Sequence, residues 1–477
     1  MQNYYQFIIP RLNGKEIKTK FSRYLSLVKK GIAGFIIFGG ELETVREYVR
    51  RLQDNAEIPL IISSDLEQGL GQQIDGGTLF PPAMAIASAL KKRSMSKMQA
   101  SNLRLLREAF EAISAEAEYA GINTILAPVL DINTNPKNPI ISVRAFGEDS
   151  KTVSLFGCEM IKAIQGHGLA ACGKHFPGHG DTDVDSHIKL PAVNADLSHL
   201  MKNELIPFKK AIETEVKMIM LGHLNVPSID PSGIPVSISE KAVRFLKNKM
   251  RYQGILITDA MNMGGIGRHS EIRASFIALE AGIDLILHPS DTEKLVSYLE
   301  KKRILLNEGR LSDFRNRLRR PAVTISPDFD EHRSLSQELT GKAIKISGEF
   351  KVTGDPYLVI LNDEEMTKGH VFAERLGSNF PGLKLQILRR GSRTRSISFP
   401  SGSFVIVAIF SETKAWKGGA SVWVRRKISS LKDRADLFVS FGSPYLLDNT
   451  VSAAKMFVYW DSGSAQEAAA GEIICRK

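Results

Sequence analysis

The sequence predicts an α/β protein of two domains: a (β/α)8-like TIM barrel followed by a smaller α/β sandwich domain. Three observations carry that expectation. Short, β-rich apolar runs alternate with amphipathic stretches up to about residue 315, the pattern of βαβ units and a parallel sheet. These runs end on polar and titratable residues at one edge, as the active face of a barrel requires. A second alternating series then follows an Arg-, Pro-, Asp- and Ser-rich stretch between Ser312 and Ser334.

The first series predicts strands at Ala33–Phe38, Leu60–Ser64, Thr124–Val129, Gly168–Lys174, Lys217–Gly222, Ile255–Thr258 and Ile283–Leu287. Each is a run of four to seven residues, dominated by apolar side chains and too short for a helix of ordinary length. Helices are expected at Met98–Ala120, Ser154–Gln165, Leu205–Thr214 and Lys241–Met250, where apolar residues recur at helical spacing. Seven strands over this length fit a barrel, with Pro191-Ala192-Val193 as one candidate for the eighth. The strand ends carry Gly39-Gly40-Glu41, Asp65-Leu66-Glu67, Leu130-Asp131, Lys174-His175, Gly222-His223 and Thr258-Asp259.

Leu335–Ile346 reads as a helix, and strands follow at Tyr357–Leu361, Lys384–Leu388, Phe404–Phe410, Asp436–Phe441 and Met456–Trp460. The expected organisation is a barrel over 1–315, a linker over 316–340 and the sandwich domain over 341–477. A chain of 477 residues exceeds one average domain.

Hydrophobic residues make up 43% of the chain, enough for two cores and too many for disorder. The net charge is +11. The basic residues are dispersed, however, and the short patches Lys91-Lys92-Arg93, Arg317-Leu318-Arg319-Arg320 and Arg425-Arg426-Lys427 read as solvated faces. No nucleic-acid-binding pattern accompanies them, so no nucleic-acid partner is expected. The three cysteines, Cys158, Cys172 and Cys475, are too few and too odd in number for a disulfide framework. They suit a reducing compartment, with Cys172 as a small apolar filler of its strand. Phe7-Ile8-Ile9 is cut short by Pro10 and Arg11, so neither a signal peptide nor a membrane span is expected, and the expected location is the cytoplasm.

The chemistry concentrates in Lys174-His175-Phe176-Pro177-Gly178-His179-Gly180 and its continuation through Asp181-Thr182-Asp183-Val184 to Asp185-Ser186-His187. Pro177, Gly178 and Gly180 forbid regular structure there. Asp185 and His187 are two apart, so in an extended turn the carboxylate can hold one ring nitrogen. That fixes the tautomer and suits the imidazole to general acid–base work. Lys174 and His175, at the strand end, can grip substrate hydroxyls. His175 and His179 are four apart, a metal spacing on a helix, but Pro177 and Gly178 break the helix; His179 is then a loop-ordering residue. Asp259 ends the run Ile255-Leu256-Ile257-Thr258 and is either a nucleophile at the barrel mouth or an N-cap. His223 either lines the pocket or caps a strand.

The Lys-His-Phe-Pro-Gly-His-Gly run followed by Asp-Ser-His resembles glycoside hydrolase family 3, in its β-N-acetylglucosaminidase branch. The resemblance implies that His187 is the acid/base, Asp185 its dyad partner and Asp259, within Thr258-Asp259-Ala260-Met261, the nucleophile. It implies that Asp65 holds sugar hydroxyls; the alternative for Asp65 is a simple cap. The family run at Asp65 carries Gln and Arg where this chain has Leu66 and Leu70. It also implies that Arg144, in Arg144-Ala145-Phe146-Gly147, reaches the substrate; the alternative is a buried ion pair with Glu148, Asp149 or Asp131. Ser440-Phe441-Gly442-Ser443-Pro444-Tyr445 and Gln466-Glu467-Ala468-Ala469-Ala470 resemble the second domain of two-domain members.

The expected activity is therefore a retaining exo-glycosidase releasing terminal β-linked N-acetylglucosamine from a glycan or muropeptide, with no cofactor and no metal. A phosphorylase using the same residues is an alternative, because a deprotonated histidine is neutral and admits phosphate. A β-glycosidase of other sugar specificity is another. A metal-dependent hydrolase would draw on His175, His179, Asp181 and His187. A non-catalytic sugar-binding relative would be expected to have lost Asp259 or His187, and both are present.

Overall fold

The computed structural model describes residues 2–90, 100–267, 269–318, 325–364, 367–391, 399–412, 417, 419–447 and 452–477. Lys91-Lys92-Arg93, Arg319 and Arg320 lie outside the described residues. The chain separates into two compact units. The first comprises Met1–Phe80, Ala100–Asn135 and Ala145–Arg333, and the second Pro81–Gln99, Pro136–Arg144 and Ser334–Lys477.

The first unit is built on parallel strands β1 (Ile8–Ile9), β2 (Arg11–Asn13), β3 (Gly34–Phe38), β4 (Ile61–Ser64), β5 (Thr124–Ile125), β6 (Ala170–Phe176), β7 (Met218–Leu221), β8 (Ile255–Thr258) and β9 (Ile286–Leu287). Strands β2 to β8 form one sheet in sequence order. Leu285 bridges to Ile257 of β8, and β9 pairs with β1, which returns the pairing to the N-terminal segment. The eighth position is therefore filled by Ile8–Asn13 and not by Pro191-Ala192-Val193, where only Ala192 makes an isolated bridge, to Asn225. Pro10 divides the N-terminal strand because it has no N–H to donate. Its carbonyl still accepts from Ile36 N, so the ladder continues through it.

Register decides which side chains reach the barrel interior. Arg11 lies opposite Ile36, Ile36 opposite Ser63, Ser63 opposite Thr124 and Thr124 opposite Ala170. Two residues on, Cys172 lies opposite Met218 and Met218 opposite Ile255. Leu287 opposite Ile9 closes the row in the same phase. Partnered residues share a face and alternate residues return to it. The other face is the outer one: Phe35 packs edge-on against Tyr24 of helix Phe21–Lys29, with ring centroids 5.7 Å apart. The inward set, continued to the C-terminal edge, contains Phe38, Asp65, Lys174 and Asp259. Cys172 is buried in this row, and burial pushes its thiol up to about 12, so it stays a protonated filler.

Helices cover the outer face by ordinary amphipathic logic. Helix Leu42–Asp54 buries Leu42, Val45, Val49 and Leu52, and its cap Glu41 accepts from Glu43 N and Thr44 N. Helix Ser150–Gly166 buries Val153, Phe156, Met160 and Ile164, capped by Asp149 on Thr152 N at 2.8 Å. No helix among the described residues is long and apolar enough to cross a membrane.

The second unit is a six-stranded sheet of β10 (Lys345–Ser347), β11 (Tyr357–Asn362), β12 (Lys384–Arg389), β13 (Val405–Ser411), β14 (Leu437–Gly442) and β15 (Ala454–Phe457). The order is β10-β15-β14-β13-β11-β12, with only β10 antiparallel to its neighbour. Alternate residues feed two cores. Leu358, Ile360, Phe410 and Phe441 pack with helices His370–Gly377 and Gly463–Ile474; Val359, Leu361, Val407 and Phe438 pack with helix Val422–Leu431. Helices on both faces make the sandwich.

The units differ from a contiguous division at residues 315 and 340. Met84, Ala85 and Val143, from two segments inside the first series, pack with Ala343 and Tyr459. The stretch expected as a linker is helical at both ends, in Gly309–Arg317 and Phe329–Ala343. Its Ser-Pro-Asp composition marks a helix start: Asp328 accepts from Asp330 N and Glu331 N at 3.1 and 3.0 Å.

Candidate active site

The polar ends of the barrel strands converge at the C-terminal edge of the first unit. The register between β6 and β7 shifts between Gly173 and Phe176. Two residues of β6, Lys174 and His175, thus stand where β7 has one, a bulge that re-aims side chains. Both are buried.

Lys174 Nζ donates to Asp65 Oδ1 at 2.7 Å and reaches Glu67 Oε1 at 2.7 Å. Asp65 follows β4, and Glu67 returns to the same side two residues on, while Leu66 between them is fully buried. The lysine side chain is only 2% exposed, so one buried cation is shared by two carboxylates. Sequence reasoning missed Glu67; the signal was its spacing from Asp65 beyond a strand end. Leu70 is also fully buried. The two positions that depart from the family motif therefore contribute to packing.

His175 Nδ1 lies 2.7 Å from Asp131 Oδ2. Asp131 also accepts from His175 N and, at 2.7 Å, from His179 N. Burial drives the Asp131 carboxyl upward, but His175 and His179 outweigh it and hold the group below its ordinary value. Asp131 thus organises the loop and orients a ring. The two nitrogens of His179 meet Ser186 Oγ at 2.9 Å and Thr182 Oγ1 at 2.8 Å, tying the two ends of the loop together. Burial lowers His179 to about 4 and keeps it neutral.

Asp185 Oδ1 accepts from His187 N and meets His187 Nδ1, each at 2.9 Å. Asp185 is buried and the His187 side chain 20% exposed. Nδ1 is committed to the carboxylate, so proton traffic falls to Nε2. Asp259 directly follows β8, and its Oδ1 accepts from Ala260 N at 2.8 Å. Burial raises the Asp259 carboxyl, but His175, His223 and His187 together bring it below the ordinary value. It is therefore ionised at neutral pH. His223 is fully buried, its Nε2 3.0 Å from the Ala260 carbonyl and its Nδ1 2.6 Å from Ser237 Oγ. A carbonyl can only accept, so Nε2 donates and Nδ1 accepts from the hydroxyl. His223 anchors the loop that follows Asp259.

The barrel thus brings Asp65, Lys174, His175, Asp185, His187 and Asp259 to one edge. Arg144 belongs to the second unit, in the turn Ser142–Arg144, and donates to the Ile140 carbonyl at 3.1 Å. Among the described residues no group of three or more His, Cys, Asp or Glu is placed to hold a metal. His175, His179 and His187 instead each face their own partner.

Acid should loosen this loop. The folded value of His179, about 4, lies below its ordinary 6.5, so the unfolded chain binds the proton first. Its neutral form stabilises fully above pH 6.5, and that contribution drains away as the pH falls toward about 4, by on the order of 3 kcal/mol. The depressed carboxyls Asp131 and Asp259 add losses at still lower pH, as the pH falls through their folded values. Urea unfolding should show the wild-type midpoint falling steadily over that interval, and His179→Gln should lose less across it. A flat wild-type profile would mean the ring is not held neutral.

The model for the glycosyl hydrolase family 3 N-terminal domain matches residues 5–320. Beta-hexosaminidase A of Pseudoalteromonas piscicida is 30% identical over 326 residues, covering 62% of this chain and 52% of the relative. A beta-N-acetylglucosaminidase/beta-glucosidase of Cellulomonas fimi is 28% identical over 296 residues, covering 59% of this chain and 50% of the relative. The chain thus spans about half the length of these two curated relatives. A solved family 3 beta-N-acetylglucosaminidase from Paenibacillus sp. superimposes with a TM-score of 0.80 at 27% identity, covering 100% of this chain and 97% of that one.

Proposed function

The chain belongs to glycosyl hydrolase family 3, and from that premise we propose that it is a retaining exo-β-N-acetylglucosaminidase. The observation that carries the reading is the pairing of an ionised, buried Asp259 with the Asp185–His187 dyad at the same barrel edge. Asp259 attacks the anomeric carbon, forming a C–O ester bond as the glycosidic C–O bond breaks. His187 Nε2 gives its proton to the departing oxygen. Water then attacks the same carbon, yields its proton to His187, and the ester bond breaks to free Asp259. Asp185 keeps the ring oriented through both steps. Asp65, with Lys174 and His175 beside it, holds hydroxyls of the non-reducing sugar: the carboxylate accepts and the cation donates.

The names of the relatives support N-acetylglucosamine as the released sugar. Peptidoglycan fragments are the proposed substrate, since the +11 charge suits acidic muropeptides. The three cysteines are all free thiols, which suits action in the reducing cytoplasm.

Aryl β-glycosides of N-acetylglucosamine, glucose and galactose, offered to the purified protein with and without phosphate, test the reading. Release from the N-acetylglucosaminide alone, with free β-sugar as first product in both buffers, is expected. Sugar 1-phosphate would replace hydrolase by phosphorylase on the same residues. No release from any of the three by the folded protein would overturn the assignment.

A further inference from the structure

The loop that follows Asp259 is packed directly onto the acid/base segment. Gly264 N donates to the His187 carbonyl at 3.0 Å, which is the backbone of the proposed acid/base itself. A Cβ on Gly264 would stand 2.6 Å from Ile188 O and 3.0 Å from His187 O. One on Gly265 would stand 2.7 Å from Ser186 O and 2.7 Å from His223 Cβ. Neither contact tolerates a side chain, because the opposing atoms are backbone or the root of a buried ring. Neither glycine takes a left-handed conformation, so close approach is the reason for glycine at both positions.

The loop is fixed on its other side as well. Met261 N donates to Leu287 O at 2.9 Å, and the Ala260 carbonyl accepts from His223. His223 is held in turn by Ser237. The segment from Asp259 to Gly265 is thereby tied both to the β8 end and to residues 186–188. On the far side of the acid/base segment, His179 binds Ser186 Oγ. The segment carrying His187 is held between His179 and the glycine pair.

We propose that Gly264 and Gly265 are positioning residues that set the reach of His187 toward the leaving oxygen from the same loop that carries the nucleophile. The inference rests on the assignment of His187 as acid/base. Substituting Gly264, whose added Cβ meets only the backbone of residues 187 and 188, pushes that backbone away from the β8 end, while Asp259, whose own backbone is bonded to Leu221 O, keeps its place. The consequence is selective: proton donation suffers and nucleophilic attack does not.

Leaving-group dependence reads that selectivity. For Gly264→Ala, kcat/KM on a phenyl β-N-acetylglucosaminide should fall about 100-fold, the scale expected for a misplacement of roughly 1 Å. On the dinitrophenyl glycoside, which departs without a proton, kcat/KM should stay within about threefold of wild type. Azide, which attacks the glycosyl ester without a base, should restore kcat on that substrate and give glycosyl azide. Gly265→Ala, whose Cβ also meets the root of His223, should lose activity on both substrates. Gly166→Ala, at a position where an added Cβ meets nothing within 4 Å, should match wild type on both substrates.

Equal losses on both substrates in folded Gly264→Ala, or no loss on either, would overturn the proposal. Amide hydrogen exchange of wild type tests it without a variant. The Gly264 N–H should be protected, and exchange at the rate of an open loop would also overturn it. A wild type that cleaves no glycoside would instead sink the assignment of function, a separate outcome.

Discussion

Asp259→Ala is expected to lower kcat on an aryl β-N-acetylglucosaminide by about 10⁴-fold or more, the scale for deleting a group that bonds to the reacting atom. Thermal stability should change little. The variant loses the hydrogen bond to Ala260 N. It also loses a carboxylate whose burial was unfavourable in itself and was offset by the three surrounding histidines and that hydrogen bond. With azide present, the variant should make the α-glycosyl azide, because an external anion then attacks once from the face the carboxylate vacated. Wild type with azide should give the β-azide, after two inversions. Chromatography of the two products checks both statements. A variant keeping a hundredth of the activity would mean that another group attacks.

Lys174→Met carries the largest expected loss of stability. It leaves the Glu67 carboxylate, 8% exposed, without the ammonium 2.7 Å away, and strips Asp65 of the same partner. Removing one member of a buried ion cluster costs about 3–5 kcal/mol. Asp65 is 27% exposed, so Glu67 should dominate that cost. The double variant Lys174→Met/Glu67→Gln should therefore recover much of it, and Lys174→Met/Asp65→Asn less. Urea unfolding at neutral pH of the three variants measures this. Equal recovery by both doubles would mean that Asp65 is as desolvated as Glu67. Activity should be absent in all three, since none keeps the whole cluster that would hold the sugar.

Much of the barrel was legible because parallel strands buried on both sides are short apolar runs, and seven of them stand clear in the sequence. The N-terminal strand was not. Pro10 and Arg11 interrupt Ile8-Ile9, and its pairing with β9 lies almost a whole unit away in sequence. The Asp185–His187 pair was legible because its partners are two residues apart. Lys174 with Glu67 was not, because nothing local tells a lone glutamate which cation it will meet. The same holds for Met84 and Ala85 in helix Ala83–Leu90, whose companions Ala343 and Tyr459 are hundreds of residues on. Asp131 has no motif of its own; three donors, two on His175 and one on His179, give it its role.

Closure by the N-terminal strand also governs when the barrel can exist during synthesis. Ile8 and Ile9 leave the ribosome long before Ile286 and Leu287, the residues they pair with. At about 5–20 residues per second, on the order of ten seconds or more pass between the two. Over that interval the growing sheet has two open edges, β2 at one side and the newest strand at the other. Nascent chains of this protein should accordingly be recognised by chaperones that bind unpaired edges, until residue 287 has emerged. A circular permutant that opens between Leu52 and Ile61 would lengthen the wait, because β4 would then be made first and its partner β3 last, with most of the second unit made between them.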